Sequence, residues 1–143
     1  MAMSNHTESG VLTHLFRTGT YAKPTTIAIA LTTNIPDDTQ QGFDINEVAN
    51  AGAYARVNVG APADADWDFM DQVNTSGHMS NTAAITFTAA SANWGMVSGV
   101  AIIDNSTYGQ GAVLFHGPLP SPRDIQNTDQ YQFAAGELDI YLD

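Results

Sequence analysis

Four aspartates, Asp64, Asp66, Asp68 and Asp71, fall within eight residues around Trp67 and Phe69. In an extended loop the Asp-x-Asp-x-Asp spacing puts three carboxylates on one side, the hard oxygen donors that calcium takes. An EF-hand loop beginning at Asp64 would need Gly at its sixth position and Glu at its twelfth, where Phe69 and Thr75 stand. Asp64, Asp66 and Asp68 are therefore an incomplete metal candidate, set against a solvated anionic loop pinned by its two aromatics, and no cofactor is expected. Calcium titration followed by thermal melting separates the two: a bound ion raises the melting temperature, and an unchanged temperature removes the site.

The remaining chemistry-bearing residues do not converge. His6, His14, His78 and His116 are far apart and none has a second ligand two or four residues on, which argues against zinc. His14 is placed on the exposed flank of a helix and His116 at the end of a strand. No Gly-x-Ser-x-Gly elbow surrounds any serine. The pair Asp37-Asp38 sits in a turn cluster, where Asp serves the backbone. With no Cys, thiolate catalysis, zinc ribbons, iron–sulfur clusters and disulfides are excluded together. No catalytic residue is assigned. Among the aromatics, Trp94 opens the most apolar segment and is expected in the core. Trp67, Phe69 and Tyr108, placed in loops, are candidates for contact with a partner or a sugar face.

The elements that would position these residues change period early. Val11, Leu12, Leu15 and Phe16 recur at helical spacing behind Ser9, a candidate N-cap, which predicts a short helix over residues 9–17, closed by Gly19 and lying on something apolar. Thr25 to Thr33 then alternates, with Ile27, Ile29 and Leu31 on one face of a half-buried strand. Residues 37–52 read as a long loop with one possible helical turn at Ile45 to Ala49. Tyr54 to Val59 reads as a strand with Ala55, Val57 and Val59 on one side and Tyr54, Arg56 and Asn58 on the other. Residues 60–81 are the least structured reach. Strands are predicted at Ala84 to Ala89, at 94–103 with Gly95 and Gly99 as bend or bulge sites, and at Ala112 to His116. Pro118, Pro120 and Pro122 make residues 117–123 a rigid irregular connector, because proline removes ladder donors. Short strands at 130–133 and 138–142 end the chain. Seven or eight strands with turns between them favour an all-β fold, an antiparallel β-sandwich with a short N-terminal helix, of jelly-roll type first and Ig-like second. Residues 1–20 would be an arm and 21–143 a single β-sandwich domain.

Composition narrows the partners. The 143 residues carry four Lys plus Arg against fifteen Asp plus Glu, a net charge of -11. Four cations cannot build the basic stripe that displaces counterions from nucleic acid, so no nucleic-acid partner is expected. Only 13% of residues are charged, about half the roughly 25% of an ordinary domain. Thr, Asn, Ser and Gln take their place. No cationic region precedes an apolar run at the N-terminus and no stretch approaches about 18 apolar residues, so neither classical secretion nor membrane spanning is expected.

The order of segments resembles a family of small virion proteins of tailed bacteriophages. It is carried by Leu12-Thr-His-Leu-Phe16, Pro24 to Leu31 with its Pro-Asp turn, Gly52-Ala-Tyr-Ala-Arg-Val57 and Asn81 to Phe87, followed by Trp94-Gly-Met-Val with Ile102-Ile-Asp104, Leu114-Phe-His-Gly117, and Phe133 to Leu142. Tyr108-Gly-Gln-Gly111 and Asn127-Thr-Asp129 depart from the family pattern, both in loops. The resemblance implies a non-enzymatic capsid decoration (cement) protein on the outer surface of the phage head, a homotrimer contacting the major capsid protein. A tail, fibre or baseplate component is the alternative it leaves open, and the aromatics leave a carbohydrate-binding jelly-roll as a second. Val11, Leu12, Leu15 and Phe16 would then belong to an arm that docks on a neighbour.

Overall fold

Large and small apolar residues alternate along Ile27-Ala-Ile-Ala-Leu31, and that alternation sets the centre of the fold. The computed structural model describes residues 1–69 and 77–142. In chain order these form β1 (Ala2–Met3), α1 (Asn5–Phe16), β2 (Ile27–Thr32), β3 (Val57–Gly60), β4 (Trp67–Phe69), β5 (His78–Asn81), β6 (Ile85–Thr86), β7 (Gly95–Ile103), β8 (Val113–Ile125), β9 (Gln132–Phe133) and β10 (Asp139–Tyr141). The strands make a five-stranded sheet in the order β1-β8-β7-β2-β3, a three-stranded sheet β10-β5-β4 and the pair β6-β9. Every pairing is antiparallel. This is an all-β, sandwich-like fold with one short N-terminal helix, as the turn spacing predicts. Among the described residues no helix is long and apolar enough to cross a membrane.

β2 is buried along its whole length, not on one face as the alternation suggested. It lies between β7 and β3, with both faces covered. Ile27, Ile29 and Leu31 enter the main core with Val100, Ile102 and Leu114. Ala30 joins Ala101, Ile103, Val113 and Ile45 in a second cluster. Through the main core runs a chain of rings: Trp94 edge-on to Tyr54, Tyr54 over Phe87, Phe87 to Tyr131, and Tyr131 to Phe133, at centroid distances of 5.1–6.3 Å. Trp94 is thus a core residue, as expected, and its Nε1–H donates to the Gly52 carbonyl at 2.8 Å.

Several boundaries differ from the sequence reading. β3 begins at Val57 and not Tyr54, β6 ends at Thr86 and not Ala89, and β4 and β5 form within the reach 60–81 that reads as least structured. The two largest shifts are at α1 and β8. α1 starts four residues early because the N-cap is Ser4, not Ser9: Ser4 Oγ accepts from Thr7 N at 3.3 Å and is itself buried against the Val113 carbonyl. Ser4 N and Thr7 Oγ1 both donate to the Leu114 carbonyl at 3.1 Å, so polar contacts seat the first turn on β8. Thr7 is the buried residue of the helix. Its later turns do not lie on an apolar surface. Instead Gly10 admits the ring of Tyr21 so closely that a Cβ there would sit 2.2 Å from Cδ2.

The second difference is β8, which runs from Val113 through all three prolines to Ile125 instead of stopping at His116. β1 covers its outer side only at Phe115 and His116, so the prolines stand where the strand is an edge and a missing N–H costs no ladder bond. A register step between Val97 and Gly99, which pair with Arg123 and Pro118, absorbs the irregular stretch: residues 119–122 of β8 stand opposite Ser98 alone, so the extra residues lie on β8 and not at Gly99. His116 therefore sits inside a strand. Removing the buried ring in Phe87→Ala is expected to lower the unfolding free energy in urea by about 3–5 kcal/mol. Phe43→Ala, at a ring 75% exposed, should change it by no more than about 0.5 kcal/mol; equal losses at the two positions would contradict this core.

Candidate functional site

The chain folds two distant loops against one buried cation. Arg56 lies just before β3, where the side chains change phase: Tyr54 and Arg56 are buried and Ala55 exposed, while within β3 Asn58 is exposed and Val57 and Val59 are half-buried. The Arg56 and Glu47 side chains are 0% and 3% exposed. Arg56 Nε donates to Glu47 Oε1 at 2.9 Å and Nη2 to Oε2 at 2.7 Å, a bidentate pair. The other three N–H groups reach the carbonyls of Gly42 at 3.1 Å, Asn105 at 2.8 Å and Gln110 at 2.8 Å. All five guanidinium donors are thereby used. Gly42 N also donates to the Gly111 carbonyl at 3.0 Å, and a Cβ on Gly42 would lie 2.1 Å from the Gln110 oxygen. Residues 42–47 and 105–111 are therefore one rigid unit.

Tyr54 completes the cluster. Its hydroxyl donates to Glu47 Oε1 at 2.9 Å and accepts from Leu31 N at 3.0 Å, which ties the clamp to β2. Burial, and then the neighbouring Glu47 charge, raises its phenol pKa well above the ordinary value of 10.0, so it remains a neutral donor. Sequence reasoning missed this cluster, because an arginine in a short alternating run reads as a solvent-facing residue.

Outside the clamp, the two loops frame an open cleft of about 310 Å³ lined by Phe43, Asp44, Asn46, Glu47, Tyr108 and Gly109. Tyr108 is in a loop, as expected, and 39% exposed. Trp67 and Phe69 are not in a loop but in β4, half-buried, and Trp67 packs on the main core. On α1, Val11 is half-buried, whereas Leu12, Leu15 and Phe16 are 58%, 63% and 78% exposed. Asp64 and Asp68 are exposed and Asp66 half-buried; Asp71 lies outside the described residues. Among the described residues no group of three His, Asp or Glu comes together as metal ligands would.

Two histidine–carboxylate pairs form, one between β8 and a turn and one between the neighbouring strands β5 and β10. His116 Nε2 is 2.9 Å from Asp38 Oδ1, and the backbone of Asp38 accepts from Asn5 N at 2.9 Å, so this pair helps seat α1. His78 Nε2 is 3.2 Å from Asp139 Oδ1, and its ring stacks on Tyr141 at 4.2 Å. The partners are 78 and 61 residues apart in sequence, too far for any local spacing to reveal them. The second pair extends to a hydroxyl, since Tyr141 Oη donates to Asp139 Oδ2 at 3.2 Å.

Truncating Arg56 in Arg56→Ala leaves the Glu47 carboxylate buried without its counter-charge and is expected to cost about 3–5 kcal/mol in urea unfolding. Tyr54→Phe should cost about 1.5–3 kcal/mol at neutral pH, the range for a hydrogen bond to a charged group. A raised phenol pKa stabilises the fold below its unfolded value of 10.0, and that contribution is lost as pH rises further. The gap between the native protein and Tyr54→Phe should therefore narrow above pH 10; a gap that widened would contradict the assigned proton.

Comparison with known families places the chain. A family model described as podophage GP4 fiber I protein gp80 matches residues 2–141, from β1 to β10. No curated protein matches it. The chain thus belongs to the podophage GP4 fiber I protein gp80 family and is a structural protein of the phage virion.

Proposed function

We propose that the protein is a non-enzymatic building block of the phage tail, a fibre subunit, and not a cement protein of the head. The observation that carries this reading is the match to a fibre family over residues 2–141, which spans α1 as well as every strand. It favours the tail alternative over decoration of the capsid surface, and with it moves the expected partner from the major capsid protein to other tail subunits and further copies of this chain.

The geometry supports such a role physically. A fibre subunit must hold its shape under load and offer apolar area to neighbours. The rigid part is the doubly covered β2-β7 pair with its ring chain. The apolar offer is the far half of α1, where Leu12, Leu15 and Phe16 project from a helix whose first turn is seated on β8. A cluster of large exposed apolar side chains on a soluble chain marks a contact surface. Leu12, Leu15 and Phe16 are the residues that contact the neighbouring subunit, and symmetric self-association multiplies each weak contact through effective concentration.

Gold-labelled antibody against the protein, applied to intact virions in the electron microscope, is expected to mark the tail; label spread over the head would overturn the reading in favour of cement. The surface has its own test. Leu15→Asp with Phe16→Asp should leave the melting temperature unchanged, because both side chains are exposed, and reduce the sedimentation coefficient of the purified protein to that of a single chain. Self-association that survives both substitutions would remove α1 from the interface.

A further inference from the structure

The cleft between residues 42–47 and 107–110 has no part in the assembly surface on α1, and its construction points to a ligand. We infer that it is a binding site for a neutral saccharide unit. The site stands on four side chains. Phe43, 75% exposed, and Tyr108, 39% exposed, line the same cleft of about 310 Å³, at the lower end of the ~300–1,000 Å³ that small-ligand sites occupy. Asp44 and Asn46 line it too. A pyranose ring presents a face of C–H groups and a rim of hydroxyls. Aromatic rings take the face, a carboxylate accepts from the hydroxyls, and a planar amide both donates and accepts.

Charge selects the class of sugar. The cation beneath the cleft is Arg56, and all five of its N–H groups are already satisfied, so none can meet a phosphate or carboxylate. Asp44 and a net charge of -11 repel anionic sugars as well. The frame is also pre-ordered. Asn46 holds a left-handed backbone (φ 53°) whose carbonyl accepts from Thr33 N at 2.9 Å and Thr33 Oγ1 at 3.1 Å. Together with the Arg56 clamp this spares a ligand the cost of ordering the two loops. A peptide fits less well, because the cleft is framed by turns and offers no open strand for β-addition.

The test is a glycan array carrying neutral and acidic oligosaccharides, with an arrayed peptide panel alongside, probed with the whole chain. The strongest hit is then titrated against the native protein and against Phe43→Ala, Tyr108→Ala and Asn46→Gly, the last chosen because glycine accepts the same backbone angle. Neutral glycans should bind, and each of the three variants should lose about tenfold in affinity at an unchanged melting temperature. Met96→Ala, an exposed apolar control on β7, should bind as the native chain does. No binding to neutral glycans, binding confined to acidic glycans or peptides, or binding indifferent to Phe43 and Tyr108 would each overturn the inference. None of these outcomes bears on where the protein sits in the virion.

Discussion

A fully buried guanidinium needs an acceptor for every N–H, and in this chain that demand brings two loops and the end of β2 together. The five acceptors for Arg56 come from Glu47, Gly42, Asn105 and Gln110, so two loops far apart in sequence must close on one point. Closure carries further. Val48 N donates to the Leu31 carbonyl and Thr33 N to the Asn46 carbonyl, which lays residues 45–48 along the end of β2. That position drops Ile45 onto Ala30, Ala101 and Ile103 and covers the second face of the sheet. Because an unpaired buried charge is far costlier than a missing apolar contact, the clamp forms fully or the loops do not order. The two clusters of the core are therefore coupled through a polar contact.

The unusual composition has the same logic. With few charges available, Asn, Ser and Thr satisfy backbone groups that no ladder reaches. Asn81 alone ties three segments, donating to the carbonyls of Ala83 and Ala134 and accepting from Leu138 N. Asn105 accepts from Thr107 N, Asn93 from Asn127 N, and Asn58 from Gly60 N. Ser4 and Thr7 do the same for α1. Short polar side chains thus hold the loops of a chain whose sheets are small, and leave its surface low in charge and negative.

How much of this could be read in advance depended on the range of the interaction. β7 is apolar on both faces because it is central, and that pattern is local; so is the all-β class. The buried length of β2 was legible only in part, since Ala at alternate positions reads as neutral when it is in fact the small side of a two-sided core. β8 reads as ending at His116 because proline removes a donor, a true penalty that vanishes on a strand with an uncovered edge. The early start of α1 was hidden because the worth of Ser4 as a cap comes from β8, more than a hundred residues away. Trp67 reads as a loop residue because the strand partner of β4 lies across the least patterned reach of the chain. Of the site, Tyr108 and the α1 stripe were visible as residues, and the Arg56 clamp and Phe43 were not, since nothing local marks a cation as buried or a loop phenylalanine as displayed.

Tied loops, a doubly covered sheet and a helix with an exposed apolar stripe describe a part made to be assembled. On the proposed reading the protein is one subunit among tail neighbours, with the α1 stripe as the contact surface. Its abundance in the particle decides this most directly. Quantitative mass spectrometry of purified virions should find it at a small fraction of the major capsid protein, in the copy numbers of a tail appendage. A copy number that scales with the capsid lattice would contradict the account and return the protein to the surface of the head.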